Sequence, residues 1–183
     1  MRSLSITVAL GVVLACAFAA AAGVLRASSA DSADDIGAEL TTVRQVAGSG
    51  VHFVTTVIVH SSEPTETGMI QRSTETVDLT GDLTGRILYQ PTSVIDFTNL
   101  TLTNTGHQVF SGTVLGSAPV MLYDDEFRFD VNLATRAATG KVYLTDNIAG
   151  PKIRCELGIV ATGQTAEGNV TADYTGYCKF KNQ

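Results

Sequence analysis

Three side chains in this chain are placed where they could move a proton: Glu75, Asp146 and Tyr174. Glu75 shares the alternation parity of Val77 and Leu79, and Asp146 that of Val142 and Leu144, so each carboxyl is predicted on the apolar face of its strand. A carboxyl withdrawn from water has a raised pKa and serves as a general acid or base. Tyr174 would add a hydrogen-bond donor, and Tyr89, Phe127 and Phe129 would line a bound apolar molecule. The plainer alternative is that the acids lie at strand ends within reach of water and that the rings fill space.

Other chemistries lack their residues. His52 and His60 fall on one face of a single predicted strand, about 26 Å apart at ~3.3 Å per residue, and cannot share a metal. His107 stands alone at a strand start. No His-Glu-x-x-His or paired-cysteine motif occurs, so no metal and no cofactor is expected. The acids of Tyr123-Asp124-Asp125-Glu126 read as a solvated turn rather than a calcium loop. A glycine-flanked serine elbow for nucleophilic catalysis is also missing. Asn99-Leu100-Thr101 and Asn169-Val170-Thr171 fit the glycosylation pattern, which matters only in a host that glycosylates.

The strongest local signal is the tail. Folded about residues 165–168, it sets Cys155 opposite Cys178, Leu157 opposite Gly176, Ile159 opposite Tyr174 and Ala161 opposite Ala172, which makes one face apolar. The other face pairs Arg154 with Lys179, Glu156 with Tyr177, Val160 with Asp173 and Thr162 with Thr171. A slip of one residue would spoil both faces, so this register implies a Cys155–Cys178 disulfide within a hairpin.

An oxidised pair fits the amino terminus. Met1-Arg2, an apolar run over residues 6–25 and Ala27-Ser28-Ser29-Ala30 form a secretory signal with small residues at Ser28 and Ala30 for cleavage. The expected location is secreted or periplasmic; the alternative is a membrane anchor through the apolar run, or through Cys16 as a lipidation site in Val13-Leu14-Ala15-Cys16. The net charge of −6 becomes −8 once Arg2 and Arg26 leave with the signal. So acidic a chain does not grip nucleic acid or anionic lipid, and no membrane insertion is expected after signal removal.

Residues 31–50 mix acids and small side chains with a weak helical spacing at Ile36, Leu40 and Val43, and read as linker or short helix. From residue 51 to 183 the chain reads as one all-β domain. Strands are predicted at 51–60, 69–79, 86–90 (stopping at Pro91), 94–103 (bent) and 107–115. Residues 126–133 alternate most cleanly and pair with 141–146, Leu133 opposite Val142 and Val131 opposite Leu144. With the tail hairpin this makes about eight strands on short connections, an antiparallel β-barrel or, alternatively, a β-sandwich.

That strand number, the glycine-rich turns and the turn Gly163-Gln164-Thr165-Ala166-Glu167-Gly168 before a closing strand resemble the allene oxide cyclase and dirigent barrel superfamily over about residues 51–180. The resemblance implies a barrel whose apolar lumen folds a small hydrophobic molecule into a reactive shape, as a dimer or trimer. A disulfide on the apolar face departs from an open lumen. Lipocalin-like carriers share the architecture, but their tryptophan is missing because this chain has none.

Two functions follow as expectations. One is an exported β-barrel that binds a small apolar ligand or an envelope or extracellular protein partner, with self-association as a homo-oligomer open. The other is a cofactor-free cyclase or isomerase acting by confinement, with Glu75 or Asp146 as acid or base and Tyr174 as donor. A protein that only fills a structural role remains a third.

Overall fold

A computed structural model describes residues 41–181 of the chain. They form eleven strands: β1 (Thr41–His52), β2 (Ile58–Pro64), β3 (Gly68–Gly81), β4 (Leu83–Asp96), β5 (Thr101–Val114), β6 (Val120–Asp124), β7 (Arg128–Asn132), β8 (Ala138–Leu144), β9 (Asp146–Ala149), β10 (Ile153–Gln164) and β11 (Val170–Lys181). The fold is a closed eight-stranded antiparallel barrel with three outer strands. Following the pairings, the wall runs β1–β3–β4–β5–β7–β8–β10–β11 and back to β1, while β2 adds to β3 and β6 and β9 continue from β5. The signal segment and the first part of the expected linker lie outside the described residues.

The tail hairpin has the predicted register from Ile153↔Phe180 through Cys155↔Cys178 to Ala161↔Ala172. A bulge at Thr162 then advances the pairing to Gly163↔Thr171, although the two threonine hydroxyls still bond at 3.0 Å. The disulfide is formed, with both cysteines fully buried and Cα atoms 4.1 Å apart. It lies at the end of the barrel where β1 begins, beside Leu144 and Ile153. Leu83, Phe110, Val114, Leu122 and Val142 join them in one continuous core. Burying each such side chain contributes about 1.5–3 kcal/mol. That end of the interior is filled.

Several predicted elements are corrected. Residues 41–50, expected as linker, are most of β1. Their apolar signal is missing because inward positions 48 and 50 are glycine: a Cβ on Gly48 would lie 2.3 Å from the Tyr174 hydroxyl, and one on Gly50 3.0 Å from Leu79. Those neighbours supply the bulk. The strand predicted at 51–60 is two strands, broken by a 3₁₀ turn at Val54–Thr56. β4 does not stop at Pro91 but runs through it, and the β3–β4 ladder omits the rungs between Arg72↔Thr92 and Glu75↔Tyr89. A proline in a central strand survives only where the ladder is interrupted. The bent strand of 94–103 is instead the tip joining β4 to β5, where Asp96 caps the backbone of Thr98 and Asn99 at 2.8 and 2.9 Å.

The β7–β8 hairpin has another register from the predicted one: Val131 faces Ala138, not Leu144, and Phe129 faces Gly140. Asn132 draws the turn tight by accepting from the backbone of Ala134 and Thr135 at 3.0 and 2.9 Å. Phe129 then lies where a side chain on Gly140 would be, 2.1 Å from an added Cβ. The displacement is an even number of residues, so every side chain keeps its predicted face. Alternation alone cannot detect such a slip.

Tyr174 does structural work in this frame. It is 2% exposed, its hydroxyl accepts from the Leu83 backbone N–H at 2.7 Å, and it donates toward the Thr80 or Leu83 carbonyl at 3.1 and 3.2 Å. Tyr174→Phe therefore strands a buried N–H, and we expect a loss of about 1–3 kcal/mol in urea unfolding. An unchanged midpoint would show that water takes over the bond.

Candidate functional site

A row of polar side chains crosses the inner wall where alternation alone would place apolar ones. Glu75 on β3 faces Tyr89 on β4, Tyr89 faces Gln108 on β5, and Gln108 faces Asp124 on β6. All four are buried. Burial of polar groups is tolerated only when they bond to one another.

The β3–β4 end of the row is the candidate site. Glu75 Oε2 is 2.6 Å from His52 Nε2 and accepts the Tyr89 hydroxyl at 2.6 Å, while Oε1 accepts Ser73 at 2.5 Å. The Tyr89 oxygen is also 2.8 Å from His52 Nε2. His52 closes the group because β1 ends there and its last rung sets it beside Val77. The side chain of His52 is 24% exposed and that of Glu75 8%, so the imidazole is the member that water or a ligand reaches. Phe127 meets the Tyr89 ring edge-on at 5.9 Å, and Phe129 lies 5.9 Å beyond it.

The electrostatics differ from the sequence expectation. Burial pushes the Glu75 pKa up and is the largest influence, but the hydrogen bond and charge of His52, with the Ser73 and Tyr89 hydroxyls, together hold it below the ordinary carboxyl value. Glu75 is thus an ionised acceptor and not the raised-pKa acid that desolvation alone implies. Burial first, then the adjacent carboxylate, pushes the Tyr89 phenol well above its usual value, so it stays protonated and donates. Histidine is the side-chain type that exchanges protons around neutral pH. The arrangement can therefore orient an imidazole on a fixed carboxylate and present it to a bound molecule.

Glu75, Tyr89, Phe127 and Phe129, predicted separately, are thus brought together. Asp146 is not part of the group: β8 ends at Leu144, and Asp146 starts the outer strand β9, exposed and paired with Tyr123. Tyr174 faces inward, but its hydroxyl is bound to backbone as described. His52 and His60, expected on one face, are separated by the 3₁₀ turn; His52 faces Glu75 and His60 lies on the outer wall against Thr74 at 2.8 Å. Sequence reasoning missed His52 and Ser73. Ser73 carried a signal, being two residues before Glu75 on the same face; His52 was placed on a predicted strand of 51–60, but nothing local showed that the strand ends at His52 and that its last rung lies beside β3.

Asp124, expected in a solvated turn, is 2% exposed and accepts from Gln108 and the Tyr143 backbone through Oδ2, at 2.7 and 2.8 Å, and from the Glu126 backbone through Oδ1 at 2.7 Å. It ties β5, β6 and β8 together. Among the described residues no group of three or more histidine, cysteine or acidic side chains could hold a metal. Two concavities open on the outer wall. One of about 420 Å³ lies over Leu102 and Val131 with Thr103, Asp130 and Thr139 around it. Its acid is already held by Arg128 and Thr103 at 2.7 and 2.8 Å. The other, about 270 Å³, lies between His60 and His107. No protein-family model, curated protein or solved structure matches this chain.

Proposed function

We propose that the protein is an exported binding barrel that takes a small molecule at the end of the wall where β1 terminates, with a polar group of the ligand on His52 and its apolar part along Val77, Phe129 and Ile159. The observation that carries this is one imidazole nitrogen held by both Glu75 and Tyr89 while the side chain remains partly exposed. Val77, Phe129 and Ile159 are only partly buried against the core, Val77 is the register partner of His52, and Phe129 is reached from Tyr89 through Phe127. Export is supported by the buried disulfide, which persists in oxidising compartments.

Native mass spectrometry of the protein purified from its own host tests this reading. A retained small molecule is expected on the wild type and absent from His52→Ala. A bare polypeptide mass for the wild type, unchanged on adding an extract of the host's small molecules, would overturn it.

A second reading, a cofactor-free isomerase or cyclase similar to the allene oxide cyclase barrels, is favoured by the juxtaposition of an ionised carboxylate, an imidazole and a protonated phenol. In it His52 carries the proton, Glu75 orients the ring and Tyr89 completes the hydrogen bonding. Such reactions conserve mass. Conversion of the retained molecule to an isomer of altered retention time, lost in Glu75→Gln while the molecule still binds, would distinguish enzyme from carrier.

A further inference from the structure

The outer wall also carries a cleft that touches the His52 group through Ser73 but opens on the other side of β3. We propose that the cleft between His60 and His107 binds a small oxyanion, the carboxylate or phosphate group of a polar molecule. Two irregularities of the ladder and one unusual backbone conformation coincide there. β2 bulges at His60, between Val59↔Ser73 and Ser61↔Arg72. β3 and β4 omit the rungs about Ser73 and Pro91. On β5, Gly106 has φ +153° and approaches the Gln90 carbonyl so closely that an added Cβ would lie 2.3 Å from its oxygen. Bulges re-aim side chains and gather beside binding sites.

The lining is chemically one-sided. His60, Arg72, Gln90, Thr92 and His107 surround a volume of about 270 Å³, floored by Ser73, Pro91 and Gly106, with no acid among them; the Ser73 hydroxyl itself is turned inward to Glu75. In a chain of net charge −6 the absence of acids leaves Arg72 as the one formal charge in the lining. The imidazoles are pre-positioned by a hydrogen-bonded row: His107 Nε2 donates to Gln90 Oε1 at 2.7 Å, Gln90 Nε2 reaches Thr74 Oγ1 at 3.5 Å, and Thr74 Oγ1 meets His60 Nε2 at 2.8 Å. Tyr123 packs against His107 with ring centroids 6.3 Å apart. Arg72 has one ion pair, Nη1 to Glu63 at 3.0 Å, and both partners are more than half exposed. So exposed a pair is weak, and a guanidinium with five donors can exchange it for an oxyanion. The cleft is smaller than a typical drug-sized pocket of ~300 Å³ or more, which suits a headgroup rather than a whole ligand.

Titrating the full chain with sodium phosphate, and separately with sodium acetate, at constant ionic strength maintained with sodium chloride, tests the proposal by the NMR signals of the His60 and His107 rings. Saturable shifts at both rings are expected, with phosphate and acetate affinities telling which oxyanion class fits. Arg72→Gln, an exposed outward position, should weaken binding roughly tenfold or more while the His52 ring is unmoved. Shifts no different from those in sodium chloride alone, or an Arg72→Gln variant that binds as well as the wild type, would overturn it. Loss of any retained molecule in His52→Ala has no bearing on this site, so the two proposals fail independently.

Discussion

Replacing Cys155 and Cys178 together by alanine lowers stability by about 3 kcal/mol, the loop-closure entropy returned to the unfolded chain when a link across 23 residues is removed. For a domain of this size the thermal midpoint falls by roughly 10 °C. The link joins β10 and β11, both wall strands, at the fully buried end of the hairpin, so its loss also leaves unfilled space beside Leu144 and Ile153. Scanning calorimetry of the double variant, and of the wild type with and without reductant after unfolding, measures the effect. A midpoint independent of the redox state would mean that the unfolded chain is not constrained by the bond.

Glu75→Ala costs about 3–5 kcal/mol, because it leaves His52, Ser73 and Tyr89 without their common acceptor inside the wall. Glu75→Gln retains an acceptor and costs less. The two variants also carry a pH signature. Folding lowers the Glu75 pKa from 4.5, so its stabilising contribution is present in full above that value and is lost as the pH falls through the lower folded value. The stability gap between wild type and Glu75→Gln is therefore widest near neutral pH and narrows in acid. A gap that widens in acid would show that burial, which acts in the opposite direction, has won. Urea unfolding curves for both proteins across that range decide it.

Much of the architecture is legible in residue pattern where pattern and pairing are local. In β10 and β11 two cysteines, an apolar face and a polar face all demand one register, and the structure has it up to the bulge at Thr162. β7 and β8 show the limit: their faces follow alternation, but a turn tightened by Asn132 sets which residues meet. β1 is unreadable because Gly48 and Gly50 borrow their bulk from Tyr174 and Leu79, residues remote in sequence. Pro91 misleads for the opposite reason, since a local rule about proline yields to a ladder interrupted at that rung.

The candidate site divides along the same line. The amino-acid order by itself determined an all-β domain, an inward Glu75, Tyr89 and Phe129, and a disulfide, because side-chain facing follows from a two-residue period that each strand carries within itself. Only the tertiary structure decided that the barrel closes, that His52 completes the Glu75 group while Asp146 is turned out to water, and that the carboxylate is ionised despite its burial. Those outcomes depend on which strands become neighbours and where one strand ends, and the balance between desolvation and hydrogen bonding is struck by partners that only closure of the wall brings within reach.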